Sequence, residues 1–153
     1  MTVADRAILL YDSDCGFCRW CVGRALAWDR RRRLLPVAIQ DPDADRFLAG
    51  LGYEDRMRSW HLVDPGGRRH SAGAAFAPVL RLLPGGSPLA AIAARFPRAV
   101  EAAYFAVARS RALLGRFVPE RAKDRADARI ASARERERLA DRGAPDGDRD
   151  GHR

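Results

Sequence analysis

The stretch AILLYDSDCGFC, residues 7–18, decides the fold of this chain. Its first part is a short apolar run, which predicts a buried strand over residues 7–11. Residues 17–29 are compatible with a helix, so Cys15 and Cys18 lie where a strand ends and a helix begins. Because unpaired backbone N–H groups and aligned peptide dipoles at a helix N-terminus favour negative charge, we expect a stabilised thiolate at Cys15.

The spacing of the two cysteines favours redox chemistry. Cys18 lies one helical turn after Cys15, on the same face and within reach of a disulfide bond. Gly16 between them allows the backbone to turn tightly and leaves Cys15 open to a partner. The pattern predicts a pair that alternates between dithiol and disulfide.

Asp12 and Asp14 oppose the thiolate, because neighbouring carboxylates raise the pKa of a thiol. Arg19 and Arg24 act in the opposite direction, and the sequence leaves the net shift open. In an alternative interpretation, Asp14 or Ser13 is the N-cap of the helix.

Other uses of the cysteines stay open. In two alternative interpretations, Cys15 and Cys18 are metal ligands or inert thiols. Cys21 continues the three-residue spacing of an iron–sulfur motif, but the sequence has three cysteines and such a cluster needs a fourth ligand. His61 or His70 completes a zinc site only if folding brings its side chain close to the three cysteines. We expect Cys21 to be a buried, small apolar residue, with a second resolving thiol or a metal ligand as the alternative.

The composition is that of a globular protein with a charged C-terminal part. A chain of 153 residues, 47% of them hydrophobic, is long enough to bury one core. The net charge is +8, and residues 120–153 carry 10 basic and 9 acidic residues, so most of the net charge lies in residues 1–119. A near-neutral tail is not the pattern of a nucleic-acid-binding arm. We predict a redox domain over residues 1–119 and a charged, helical or disordered tail over residues 120–153.

Neither a signal peptide nor a membrane span is visible in the sequence. Residues 1–6 lead directly into the first strand, and no apolar run reaches the roughly 18–20 residues that a span needs. We therefore expect a cytoplasmic protein without stable membrane insertion. In a reducing compartment, a Cys-x-x-Cys pair is more often catalytic or metal-binding than structural.

The rest of the chain first alternates strand and helix patterns and then becomes helical. Pro36 in the second strand cannot donate a ladder hydrogen bond, which predicts an edge strand. Asp41 and Pro42 are a typical helix start, and we expect a helix from there to about Gly50. Residues 64–67 predict a hairpin turn. Further strands are predicted at residues 34–39, 59–63 and 68–71, and helices at residues 72–83, 89–96 and 98–114, of which the last is the longest.

This order of elements predicts a mixed four-stranded sheet. A right-handed crossover makes the first two strands parallel, and the hairpin makes the last two antiparallel. A Cys-x-x-Cys pair near such a βαβ unit is typical of thioredoxin-like proteins. We therefore predict an α/β, thioredoxin-like fold with flanking helices and extra C-terminal helices.

Two stretches of the sequence are also similar to a known family. Residues 11–18, YDSDCGFC, resemble the motif of the DCC family of thiol–disulfide oxidoreductases, which is named for its Asp and two Cys. Residues 104–111, YFAVARSR, are similar to the C-terminal helix of that family. The resemblance covers about residues 7–117 and leaves the charged tail out.

The resemblance implies a thioredoxin-like fold in which Cys15 and Cys18 are the redox pair and Asp12 is the motif acid. In such a site, Asp12 could accept the proton of Cys18 when a mixed disulfide is resolved. The alternative is a turn residue that bonds its own backbone. Two departures are visible: Ser13 stands where the family usually has Gly, and residues 56–59 lack the proline that thioredoxins carry before the third strand, facing the cysteines.

Four other residues are expected to be structural. Trp20 is predicted to be a core tryptophan, with a shield over the cysteines as the alternative. His61 lies in a strand pattern. Arg109 and Arg111 belong to the second family motif, and we expect them to cap a helix or make surface ion pairs rather than take part in chemistry.

The sequence therefore predicts a thiol–disulfide oxidoreductase that works through a mixed disulfide of Cys15 and needs no bound cofactor. Its expected partner is a disulfide-containing protein or a small thiol such as glutathione, and not a nucleic acid. The alternative function is a metal- or iron–sulfur-binding protein that uses Cys15, Cys18 and Cys21. A weaker alternative is a thioredoxin-like scaffold whose tail recruits a partner.

Overall fold

The computed structural model describes residues 6–143, which form a mixed sheet flanked by helices. Of the tail predicted to be helical or disordered over residues 120–153, residues 144–153 lie outside this range. The strands are β1 (Ala7–Tyr11), β2 (Leu34–Ala38), β3 (His61–Val63) and β4 (Arg69–Ser71). The helices are α1 (Gly16–Trp28), α2 (Tyr53–Arg58), α3 (Phe76–Leu82), α4 (Ser87–Arg95), α5 (Pro97–Arg109), α6 (Arg111–Phe117) and α7 (Glu120–Gly143), and 3₁₀ turns lie at Pro42–Ala44 and Ala72–Ala75.

The sheet has the predicted topology. Its strand order is β2-β1-β3-β4, with β1 parallel to β2 and both remaining pairs antiparallel. Pro36 pairs with Leu9 on the edge strand β2, where its missing N–H costs no ladder hydrogen bond on the outer side. The prediction of a thioredoxin-like α/β fold is thus confirmed.

The central strand β1 is buried along its whole length and has a core on each face. Successive strand residues point to opposite faces, so Leu9 and Leu10 belong to different cores. One core contains Val22 from α1 and Ile130 from α7, and the other contains Leu48 from the segment after β2. Packing against β1 therefore fixes α1, the helix that carries the cysteines.

The predicted helix from Pro42 to about Gly50 is wrong. Only a 3₁₀ turn, Pro42–Ala44, forms at its start, and turns follow it. Asp41 does cap this turn, because its side chain accepts the N–H of Asp43 at 3.0 Å. The local signal for a helix start is therefore present, but the helical hydrogen bonding does not continue into a regular α-helix.

The prediction of one long helix over residues 98–114 is also wrong. The chain bends at Ser110, where φ is −95° and ψ is 2°, and separates α5 from α6. The bend makes Arg111 the first residue of a new helix instead of a member of the α5 stripe. The longest helix in the described part of the chain is α7, with 24 residues.

Helix α7 packs against α1 and β2. Ala126, Ile130 and Ala133 form its buried side. Arg134 of α7 donates to Asp41 at 2.6 Å, and a further ion pair joins Arg19 of α1 to Asp127 of α7. The charged segment after residue 119 thus contributes apolar surface to the core, and the division of the chain into two parts at that residue stays a prediction.

None of the helices between residues 6 and 143 combines the length and the apolar character that crossing a bilayer requires.

Candidate active site

Cys15 is the N-cap residue of α1. Its backbone is extended, with φ −89° and ψ 106°, and its sulfur accepts the backbone N–H of Cys18 at 3.2 Å. An N-cap side chain usually supplies an oxygen for this bond, and here the sulfur takes that place. Cys15 therefore lies at the start of the helix, as predicted.

The surroundings of Cys15 favour its thiolate. The thiol of Cys18 and the backbone N–H of Cys18 both donate hydrogen bonds to the Cys15 sulfur, and Arg111 adds a positive charge. Partial burial and the carboxylate of Asp12 act in the opposite direction. Together they lower the pKa of Cys15 to about 6, so the thiolate predominates near neutral pH.

Cys18 has the opposite character. Donation of its S–H to the Cys15 sulfur, its burial and the negative charge of Cys15 raise the pKa of Cys18. Both thiols are free and half-buried. The pair is thus divided into one thiolate and one protonated thiol, which is the state in which an attacking and a resolving cysteine differ.

Cys21 is not the buried residue that we expected, because it is exposed on α1. Protein atoms around its sulfur and the charge of Cys15 raise its pKa to about 11, so Cys21 is a thiol near neutral pH. Over residues 6–143, no group of three or more His, Cys, Asp or Glu side chains is arranged to hold a metal ion. The arrangement of Cys15, Cys18 and Cys21 therefore gives no support to the alternative metal site.

Asp12 lies in the turn between β1 and α1, with its side chain mostly buried. One carboxylate oxygen, Oδ1, accepts the N–H of Asp14 at 3.0 Å and the side-chain amide of Gln40 at 2.8 Å. The other oxygen, Oδ2, lies 4.0 Å from a guanidinium nitrogen of Arg111. The negative charge of Asp12 contributes to raising the pKa of both Cys15 and Cys18, less than the hydrogen bonds and burial do.

Sequence reasoning missed Gln40, which joins the two strand ends. Its Oε1 accepts the N–H of Ser13 at 3.2 Å and the hydroxyl of Ser13 at 3.0 Å, while its Nε2 donates to Asp12. Gln40 follows β2, and Asp12 follows β1. The carboxyl ends of neighbouring parallel strands meet at one edge of a sheet. The position of Gln40 directly after β2 is therefore the feature of the sequence that could have identified it.

Arg111 was expected to make a surface ion pair, and its contact with Asp12 is of that kind. Its positive charge also lowers the pKa of both cysteines, which sequence reasoning did not foresee. Arg109, the other arginine of the motif, is exposed and has no acidic partner among the residues described. The two arginines lie on different helices, Arg109 at the end of α5 and Arg111 at the start of α6.

Tyr104, Trp60 and Phe76 form an aromatic cluster between α5, α3 and the start of β3. Tyr104 of α5 accepts the backbone N–H of Trp60 at 3.2 Å through its hydroxyl oxygen. Burial raises the pKa of Tyr104. Phe76 packs edge-on against both rings, at 5.3 Å from Trp60 and 6.2 Å from Tyr104.

His61 and Trp20 were both expected to be structural residues. His61 is buried, and its ring nitrogens lie 2.7 Å from the hydroxyl of Ser71 and 3.0 Å from the carbonyl of Arg56. Burial lowers the pKa of His61, so it is neutral near pH 7. Trp20 is half-buried and packs against Phe17, with ring centroids 5.9 Å apart.

The chain was compared with known proteins. The family described as DCC1-like thiol-disulfide oxidoreductase matches residues 9–117, which contain the cysteine pair, Asp12 and the α5–α6 arginines. No curated protein and no solved structure matches the chain.

Proposed function

The chain belongs to the family of DCC1-like thiol-disulfide oxidoreductases, and we propose that it exchanges thiols and disulfides through Cys15 and Cys18. The family description implies thiol or disulfide substrates. The proposal assigns the attack to Cys15 and the resolution to Cys18, with Asp12 as the base.

In the first step, the Cys15 thiolate attacks one sulfur of a substrate disulfide. A bond forms between Cys15 and that sulfur, the substrate S–S bond breaks, and the second substrate sulfur leaves as a thiolate. The low pKa of Cys15 supports this assignment, because the thiolate is the nucleophile and exists at neutral pH without a separate base.

In the second step, Cys18 loses its proton and attacks the Cys15 sulfur of the mixed disulfide. The Cys15–Cys18 disulfide forms, and the remaining half of the substrate leaves as a thiolate. The protein is oxidised by two electrons and the substrate is reduced, so a thiol donor must restore the dithiol. No bound cofactor takes part in either step.

Asp12 is proposed as the base that takes the proton of Cys18. Two observations support this role: the charge of Asp12 acts on both thiols, and Oδ2, which lies 4.0 Å from Arg111, accepts no hydrogen bond within the described chain. Oδ1 is occupied by Asp14 and Gln40, and these bonds hold the carboxylate in place.

The observation that carries the proposal is the asymmetry between the two sulfurs. The sulfur of Cys15 accepts the Cys18 N–H at 3.2 Å, and the side-chain hydrogen bond between the two cysteines lowers the pKa of Cys15 and raises that of Cys18. A buried structural pair, or two thiols that bind a metal together, would have no need of this difference. A pair that attacks and then resolves depends on it.

The test uses the full-length protein with a Cys21→Ser substitution as the parent, so that the third thiol cannot react. The reduced parent is mixed with glutathione disulfide or 2-hydroxyethyl disulfide and analysed by mass spectrometry. We expect the parent to form the internal disulfide, the additional Cys18→Ser variant to stop at the mixed disulfide, and the additional Cys15→Ser variant to remain largely unmodified. If the parent stays reduced with both disulfides, or if Cys18 is modified first, the proposed mechanism is wrong.

A further inference from the structure

A second surface of the protein lies on α4, away from the residues assigned to the reaction. Leu89, Ile92 and Phe96 are 49%, 58% and 56% exposed. Leu89 and Ile92 lie one turn apart on one side of the helix, and Phe96 is the residue that caps its C-terminal end. Exposed apolar side chains grouped in this way, here called the α4 face, indicate a binding surface more often than scattered ones do.

The charges around the α4 face have one sign. Arg95 and Arg98 are exposed beside it, and Arg95 lies over the ring of Phe96 at 5.5 Å. Between Asp64 and Glu101 the sequence contains no acidic residue. An apolar face whose nearby charges are arginines is complementary to a surface that is both apolar and negatively charged.

The pattern repeats on α6, the second helix after α4. Leu113 and Phe117 are 55% and 76% exposed and lie one helical turn apart, with the exposed Arg116 between them. Helix α5, which lies between α4 and α6 in the chain, contacts both of them. The apolar and basic character is thus a property of the α4–α6 segment rather than of one helix.

A second copy of the chain is a poor match for the α4 face. In a symmetric dimer the same patch meets itself, so Arg95 and Arg98 would approach their own equivalents. Like charges that face each other across an interface weaken it. The surface of an anionic lipid bilayer, in contrast, offers phosphate groups to the arginines and apolar depth to the three large side chains.

We propose that the α4 face docks the protein on the surface of an anionic lipid bilayer. Leu89, Ile92 and Phe96 insert at the level of the headgroups, and Arg95 and Arg98 contact lipid phosphates. The helix lies in the plane of the interface and does not cross the bilayer. The proposal is independent of the thiol chemistry, because it uses none of the residues assigned to it.

The test is co-sedimentation of the full-length reduced protein with vesicles of phosphatidylcholine, or of phosphatidylcholine mixed with phosphatidylglycerol. We expect binding to the anionic vesicles that weakens as salt is added. The Ile92→Ser substitution is expected to weaken binding about tenfold, since an apolar side chain no longer enters the bilayer. The Arg95→Gln substitution is expected to weaken it about fivefold.

Matched controls separate the α4 face from overall composition. Leu139 on α7 is 57% exposed, so Leu139→Ser removes an equally exposed apolar side chain elsewhere. Arg125→Gln on α7 removes the same charge as Arg95→Gln. Both controls should bind like the wild type. Equal binding to both kinds of vesicle, an equal loss in the controls, or an Ile92-dependent dimer without lipid would each overturn the proposal.

Discussion

Gly23 of α1 and Ala126 of α7 meet where the two helices cross. A Cβ atom on Gly23 would lie 2.6 Å from the Cα of Ala126, which is closer than real atoms approach. The absence of a side chain at Gly23 therefore allows α7 to lie against α1 and to bury Ile130 in the core. The helix that carries Cys18 and is capped by Cys15 is held in part by residues from the charged end of the chain.

The Gly23→Val substitution should destabilise the protein. The added methyl groups would push against the backbone of α7, and overpacking of this kind costs about 1–3 kcal/mol. Urea denaturation measures the change in the free energy of unfolding. Gly52→Ala is the control, because nothing lies within 4 Å of that position and its φ is negative. A Gly23→Val variant as stable as the wild type would contradict the close packing of α7.

Alkylation of Cys15 by iodoacetamide should follow the titration of a thiol whose pKa is lowered. Since the pKa is about 6, the rate should rise by about tenfold per pH unit below pH 6 and level off above pH 7. The measurement uses the Cys21→Ser protein and mass spectrometry of the labelled peptide. Cys18→Ala removes the donated S–H and should shift the midpoint to higher pH. A wild-type midpoint near 8.5, the ordinary value for cysteine, would contradict the geometry.

Loss of the charge at Arg111 should raise the pKa of Cys15. In an Arg111→Gln variant, the rate of alkylation near pH 6 should fall about twofold to fivefold, the effect of a partly exposed charge. The less stable thiolate also makes the reduced form less favourable, so the reduction potential of the pair should become more negative. Arg116→Gln, on the same helix and exposed, is the control and should change neither quantity. Identical behaviour of the two variants would show that Arg111 has no specific effect.

Replacement of Asp12 by Asn should separate the two steps of the reaction. The first step should not slow, because removal of the negative charge favours the Cys15 thiolate. The second step should slow about tenfold or more, because a general base contributes that much or more to proton transfer. Rapid quenching followed by mass spectrometry should then show an accumulated mixed disulfide with glutathione. Resolution at the wild-type rate would remove Asp12 from the mechanism and leave it as a turn residue.

Gln40→Ala tests whether the strand-end contacts position Asp12. Loss of the bonds to Ser13 and Asp12 should cost about 0.5–1.5 kcal/mol for each hydrogen bond. It should also slow resolution of the mixed disulfide, and the conservative Gln40→Glu change should not restore the rate, because a carboxylate cannot donate to Asp12. A variant that loses stability but resolves at the wild-type rate would assign Gln40 to the fold alone.

The elements that the sequence predicted well are those with a local signal. Residues 7–11 formed the central strand because an apolar run bounded by turn residues has few other stable arrangements. Residues 41–50 did not form a helix, although they begin with a good N-cap and a proline. Residues 98–114 bent at Ser110, although their apolar stripe continues beyond it. In both failures, the local signal was present but did not decide the outcome, because helix propensity is a weak preference that tertiary context overrides.

The sequence by itself determined the cap of α1. The contact of Cys15 with the Cys18 N–H spans three residues, so backbone geometry alone produces it once the helix starts at Gly16. Only the tertiary structure decided which charges surround the two sulfurs. Asp12 and Arg111 are 99 positions apart in the chain, and their meeting depends on the bend at Ser110 and on the packing of α1 between the sheet and α7. Electrostatic effects depend on distance through space, and the packing of the whole chain sets that distance.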